Sequence, residues 1–183
     1  VLNDGYYDDA VEKNGNHTAT GVLRGGKYSL FEAGTRVPFM MYWKGKIQPK
    51  KSDALVSQLD LFSSLARLTG SDLRADDSLD LLDTFMGNSD LGRKELILEA
   101  TTRTALRSGD WVMIPPYIGP AKLKAVNIEI GNSNNYQLYD LSQDISQQVN
   151  LAESKPEKLN EMILKFKEIR GEDYKKIKKL ELK

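Results

Sequence analysis

The residues Gly21-Val22-Leu23-Arg24-Gly25-Gly26-Lys27-Tyr28 set two cations among closely spaced glycines, a composition suited to holding an anion. Glycines let the backbone approach a ligand closely, and Arg24 and Lys27 supply charge. The segment also fits Gly-x4-Gly-Lys, but its setting argues against a nucleotide-binding P-loop. Tyr28 stands where Ser or Thr must hold magnesium, Glu12 to Thr20 is polar where a buried strand should lead in, and Gly34 interrupts any following helix. Spacing alone leaves two readings open, an anion site or a surface turn with two solvated cations.

Few other residues offer chemistry. His17 is the single histidine and reads equally as a ligand-contacting group or an exposed loop residue; Asn16-His17-Thr18 is also a glycosylation sequon. Asp8 and Asp9 could line a sugar-binding rim, although adjacent carboxylates are commonly solvated charge. Ser154-Lys155-Pro156-Glu157-Lys158 has a serine two residues before a proline, but it sits where a helix starts. With no cysteine in the chain, disulfides and thiolate metal sites are excluded.

The elements that must position these residues follow from pattern. Residues 1–36 carry no sustained period of 2 or 3.6 and read as a long loop. Val37 to Trp43 is a continuous apolar run that predicts a buried strand, with Pro38 at its start. Leu55, Val56, Leu59, Phe62, Leu65, Ala66 and Leu68 share a helical face, predicting a helix from Ser52 to Leu68 that ends near Gly70. The acidic stretch 71–93, with a short helical turn over Leu79 to Phe85, reads as the boundary between domains 1–93 and 94–183. Glu95 to Ala100 and Ala105 to Ile114, the second broken by Ser108-Gly109-Asp110, predict a hairpin with a turn or bulge in its second strand. A polar loop then leads to a half-buried strand over Tyr136 to Leu141. Ser154 and Glu157 have capping-box spacing and Pro156 suits a first turn. Leu159, Met162, Ile163, Phe166 and Ile169 form the stripe of a closing helix that should lie on the sheet. The lysine-rich tail from Tyr174 reads as a solvated helix end.

Composition bounds the function class. Lys plus Arg and Asp plus Glu both total 26, so no net field favours nucleic acid or an anionic membrane. No apolar run approaches the roughly 20 residues that span a bilayer. The chain begins at Val1 rather than Met, as expected of a piece of a longer polypeptide.

Leu23-Arg24-Gly25-Gly26-Lys27, then Glu32-Ala33-Gly34, then Arg36-Val37-Pro38 running into an apolar stretch closely resembles the lysine-bearing motif of the sulfatase family. The resemblance extends through Ser52-Asp53-Ala54-Leu55-Val56-Ser57-Gln58-Leu59-Asp60-Leu61-Phe62, Leu106-Arg107-Ser108-Gly109-Asp110-Trp111, Gln137-Leu138-Tyr139-Asp140-Leu141 and Gln148-Val149-Asn150-Leu151-Ala152. The order of these segments matches the back of such an enzyme.

The resemblance implies the tail of an alkaline-phosphatase-like α/β domain, followed by a four-stranded antiparallel sheet packed by a C-terminal helix; the piece itself is α+β. It implies a parent enzyme that hydrolyses sulfate esters of a sulfated glycan or an aryl alcohol, in the periplasm or outside the cell. Lys27 matches the lysine that contacts the sulfate oxygens. His17 and Arg24 are the candidate substrate contacts, Arg24 also being placed to support the loop, while Glu32 and Arg36 read as a structural pair. Calcium and formylglycine are the family's cofactors, and both would come from residues upstream of Val1. Asn3-Asp4-Gly5 reverses the family's Asp-Asn-Gly order and is assigned no metal. Two other classes stay open: a non-catalytic module that shapes a pocket or forms a homodimer, and a phosphoryl-transfer relative from the same superfamily.

Overall fold

The computed structural model describes Lys13, Gly15 and residues 17–124 and 127–172. Asp8, Asp9, Asn3-Asp4-Gly5, Asn16 of the sequon and the tail from Tyr174 lie outside the described residues. In chain order the elements are α1 (Glu32–Thr35), α2 (Asp60–Leu68), α3 (Leu82–Phe85), β1 (Glu95–Ala100), β2 (Arg103–Ser108), β3 (Trp111–Ile114), β4 (Lys122–Leu123), β5 (Ile128–Glu129), β6 (Gln137–Asp140) and α4 (Pro156–Arg170). The described residues form two compact units, one drawn from Val1–Val37 with Ile97–Lys183 and the other Pro38–Leu96. The loop that carries Lys27 thus groups with a sheet that begins some sixty residues beyond it.

In the first unit a four-stranded sheet runs β1-β2-β3-β6. The segment read as one broken strand is two, because Gly109 and Asp110 reverse the chain completely and pair Ser108 with Trp111. Register then sorts the side chains. Leu106, Met113 and Leu138 are cross-strand partners and pack with Ala152, Met162 and Phe166 of the closing helix side. Their neighbours Arg107, Val112 and Tyr139 also lie opposite one another and, by the period of two, face the other way. That second face is covered by the loop carrying Lys27, where Phe31 meets Tyr139 edge-on at 5.9 Å. Both faces being covered, β3 is buried from Val112 to Ile114 and β6 from Gln137 to Tyr139. A second ribbon, β4–β5, pairs Lys122 with Glu129 and Leu123 with Ile128 in what reads from sequence as a polar loop.

Helix α4 buries Met162 and Phe166, with Leu159 and Ile163 partly packed, while Ile169 stays 51% exposed. The capping box does not form. The Ser154 hydroxyl donates to the Leu151 carbonyl instead, and the helix begins after Lys155 without a side-chain cap. Pro156 in the first turn has no N–H to satisfy, so the helix starts there at little cost.

In the second unit the helix begins at Asp60 rather than Ser52. The Asp60 carboxylate is fully buried and accepts from the Ser57 and Leu79 backbone N–H groups and from the Arg93 guanidinium, at 2.8, 2.9 and 2.9 Å. These bonds hold the chain ahead of Asp60 in a turn, so the helix cannot extend backward. The apolar stripe of α2 faces outward: Leu59, Phe62, Leu65 and Leu68 are 40–55% exposed, while Asp60, Ser63 and Ser64 are buried. The apolar run Val37 to Trp43 is likewise not a buried strand. Within the chain's described residues it finds no pairing partner, and Met40 and Tyr42 are 90% and 85% exposed. A strand is defined by hydrogen bonds to a neighbour, so composition alone cannot make one.

Candidate functional site

Lys27 occupies the tip of a tight turn. Ser29 N–H donates to the Gly26 carbonyl at 2.9 Å, placing Lys27 and Tyr28 at the two central positions. Tyr28 has φ 75°, the left-handed value that a type II turn demands at its third residue and that Gly or Asn ordinarily supplies. The Lys27 ammonium is exposed and lies 5.0 Å from the centre of the Tyr28 ring. A cation free to meet an incoming anion stands on a backbone that is not free at all.

The glycines of the motif allow this turn to fold against itself. A Cβ on Gly34 would collide with the Ser29 carbonyl oxygen and come within 2.8 Å of the Gly26 carbonyl. A Cβ on Gly25 would strike the Ser29 side chain. Ser29 is fully buried, and its hydroxyl accepts from the Phe31 N–H at 3.1 Å.

Arg24 stands behind the turn as an anchor. Its guanidinium makes a two-pronged contact with Glu129, at 2.8 and 3.2 Å, donates to the Gln147 carbonyl at 2.6 Å, and lies 4.1 Å over the Phe31 ring. Among the described residues its strongest contacts are therefore with the protein itself. The Arg24 hydrogen bond also holds the Glu129 carboxyl below its usual range. Folding thus lowers this group's pKa, so its contribution to stability is full above the unfolded value near 4.5 and is lost as pH falls through the lower folded value. Glu129 is partly exposed, which screens the pair. A Glu129→Gln variant should accordingly melt below the unaltered protein at pH 6, and the gap should narrow as pH falls below 4.5; thermal scans across that range check this.

A third anchor is ionic and deeper. The Glu32 side chain is 2% exposed and its Oε2 accepts from Arg36 at 2.7 Å and from Arg107 at 3.1 Å. Arg107 also donates to the Gly109 carbonyl, tying the pair to the β2–β3 hairpin. The Glu32 N–H donates to the Gln147 side-chain oxygen at 2.8 Å. Arg103, at the start of β2, donates to the Tyr28 carbonyl at 2.8 Å. The geometry of Glu32 with Arg36 is that of a structural pair.

The site residues read from sequence are therefore distributed. Lys27 and Arg24 share one short loop but point to different partners, and His17 is exposed with no bond among the described residues that joins it to Lys27. Sequence reading missed Arg103, Glu129, Tyr139 and Gln147 as supports. Their links span 75 to 123 residues, so no local spacing announces them. Arg107 and Tyr139 do lie inside motifs that carry the family resemblance. No group of three or more His, Cys, Asp or Glu able to hold a metal occurs among the described residues. With no cysteine either, these residues do not fit calcium or a cysteine-derived formylglycine, and no step is assigned to either group here.

Comparison with known proteins supplies the family. The family model described as Sulfatase matches residues 8–71. The chain is 42% identical over 166 residues to an N-acetylgalactosamine-6-O-sulfatase of Bacteroides thetaiotaomicron, covering 88% of this chain and 32% of that protein. It is 37% identical over 79 residues to human arylsulfatase A, covering 42% of this chain and 16% of that enzyme. A solved sulfatase structure from work on glycosaminoglycan metabolism by Bacteroides thetaiotaomicron superposes with TM-score 0.86 at 39% identity, over 93% of this chain and 36% of that one. A Pseudoalteromonas sulfatase at 20% identity and TM-score 0.65, over 82% of this chain and 33% of that one, shares the fold. The chain thus spans about a third of the length of the curated N-acetylgalactosamine-6-O-sulfatase. Its antiparallel sheet and closing helix match those of alkaline-phosphatase-like sulfatases, and the chain belongs to the sulfatase family.

Proposed function

We propose that this chain forms the sulfate-gripping rear portion of an enzyme that hydrolyses a sulfate ester on a glycan, with Lys27 contacting the sulfate. The observation that carries the reading is the exposed Lys27 ammonium on a turn held from behind by the Arg103 bond to Tyr28 and the Glu32–Arg107 pair. Cleaving a sulfate ester gathers negative charge on the sulfuryl and leaving oxygens. An ammonium already held in position stabilises that charge without reorganising when it develops. Similarity to an enzyme named for N-acetylgalactosamine 6-O-sulfate favours a 6-sulfated amino sugar over a simple aryl sulfate. His17 is proposed as a sugar contact, and Arg24 as a support that reaches substrate only through the loop it holds.

In such an enzyme residues 1–93 would complete the large domain and 94–183 the small one, with the whole acting in the periplasm or outside the cell. Calcium and formylglycine, whose chemistry when bound would be to bind sulfate and to supply the nucleophile, would come from other residues of the polypeptide. The 183 residues alone would then be inactive. Their exposed apolar run from Phe39 to Trp43 and the outer face of α2 make self-association the expected behaviour in isolation.

The test is sulfate release, measured by ion chromatography, from N-acetylgalactosamine 6-sulfate, with 4-nitrophenyl sulfate and 4-nitrophenyl phosphate as comparisons. The full-length polypeptide carrying this segment is expected to favour the sulfated sugar, and the 183-residue chain to release nothing. Hydrolysis of the phosphate ester alone would move the protein to the phosphoryl-transfer class. No turnover of any of the three by the full-length polypeptide would leave this segment as a non-catalytic module.

A further inference from the structure

We propose that Arg103 is a positioning residue for Lys27, acting through the Tyr28 carbonyl to hold the strained turn that aims the lysine. The proposal rests on the reading of Lys27 as the sulfate contact.

A tyrosine at φ 75° is an uncommon, strained state that persists only where its surroundings over-determine it. Relaxing it by turning the Tyr28 N–Cα bond back to negative φ would swing the Tyr28 carbonyl away and open the turn. Opening the turn moves the backbone from which the ammonium extends. Whatever prevents the relaxation also aims the lysine.

Arg103 is placed to prevent it. One guanidinium nitrogen, Nη1, donates to the Ile130 carbonyl and to the Asn132 side-chain oxygen, both at 2.7 Å, and Nη2 donates to the Tyr28 carbonyl at 2.8 Å. The guanidinium is planar, and its donors keep a fixed fork geometry. Holding two oxygens of the 130–132 segment therefore fixes where its third contact can lie. That segment is itself attached to the loop, since Leu30 N–H donates to the same Ile130 carbonyl at 3.3 Å, and Asn132 donates to the Pro120 carbonyl at 3.0 Å. The Tyr28 carbonyl is thus gripped by a side chain that the sheet and the neighbouring loop already immobilise. A lysine at position 103 could offer charge but not the fork.

All three of these acceptors are neutral oxygens. Arg103 is partly buried, and none of these three bonds is to a carboxylate. In this it contrasts with Arg24 and Arg107, each bonded to a carboxylate.

The experiment is a set of mutant cycles in the full-length enzyme, with kcat and KM read on N-acetylgalactosamine 6-sulfate and folding monitored by circular dichroism and thermal melting. Lys27→Ala is measured first; if it leaves kcat/KM unchanged, the sulfate-contact reading fails and the role of Arg103 falls with it. Given the expected loss, Arg103→Ala should lower kcat/KM roughly tenfold when Lys27 is present, as misplacement of a charge-stabilising group does. In the Lys27→Ala background it should cost less than about twofold, because nothing is left to position. Tyr28→Gly supplies a residue at home in the left-handed region, so the Arg103→Ala loss should shrink on that background as well. Arg103→Lys gives the same cycle from a milder change should the alanine variant fold poorly. An equal loss with and without Lys27 would make Arg103 merely structural and overturn the proposal.

Discussion

Lys27→Ala in the full-length enzyme is expected to lower kcat by about 10²–10³, or about 2.7–4 kcal/mol, the scale found for removing one preorganised electrostatic stabiliser of a transition state. The loss should appear mainly in kcat, because the charge that Lys27 meets grows as the ester bond breaks. Stability should barely change. The side chain is exposed, and its one contact among the described residues is the ring of its neighbour Tyr28, so melting should stay near that of the parent. Lys27→Arg should recover little, since a planar fork does not replace a compact ammonium at the same reach. Steady-state kinetics with circular dichroism on the same samples decide the matter. A fall of less than about threefold with native folding would remove Lys27 from the chemistry.

Glu32→Ala is expected to destabilise the fold by about 3–5 kcal/mol, because breaking a buried ion pair from one side leaves charge without its partner. Two arginines converge on the single oxygen Oε2 of Glu32, and Arg107 is itself only 15% exposed. Arg36, being 46% exposed, can turn to solvent; Arg107 cannot do so as easily. The cost should therefore concentrate in the Glu32–Arg107 pair, and adding Arg107→Met to Glu32→Ala should recover part of it by replacing an orphaned cation with apolar volume. Denaturant unfolding of the full-length enzyme and its variants measures both effects. If Glu32→Ala costs under about 1 kcal/mol, as an exposed pair would, the buried network does not hold the loop. Activity should fall along with stability, since the Glu32 carboxylate ties the loop to Arg107 of the sheet that supports it.

How far the sequence can be read depends on the range of the interaction. The closing helix is legible because Leu159, Met162, Ile163 and Phe166 recur at helical spacing and Pro156 marks a start; only the capping partner of Ser154 is misjudged, its hydroxyl being taken by Leu151. The strands of the sheet are legible from their apolar runs, whereas Ser108-Gly109-Asp110 reads as a turn or bulge within one strand and proves to reverse the chain. The helix ending at Leu68 is legible as a helix, but not as to which face is buried. Periodicity finds a stripe, whereas a carboxylate at Asp60 bonded to Arg93 decides what lies inside. The run from Val37 to Trp43 shows the same limit: its composition suits a strand, and it remains exposed for want of a partner among the described residues.

By itself the sequence determined the type of chemistry: two cations among glycines, one histidine, no cysteine, and motifs in an order that resembles the sulfatases. It left open whether Lys27 would sit in an anion-holding loop or a surface turn, since closely spaced glycines suit both. Only the tertiary structure decided that Arg24 faces Glu129 and Gln147, that Glu32 is shared between Arg36 and Arg107, and that Tyr28 bears a left-handed φ under the grip of Arg103. The reason is physical. Glycine spacing and helical period act over a few residues and leave a local trace, whereas a guanidinium gripping a carbonyl 75 residues away becomes defined only when the sheet brings the two together.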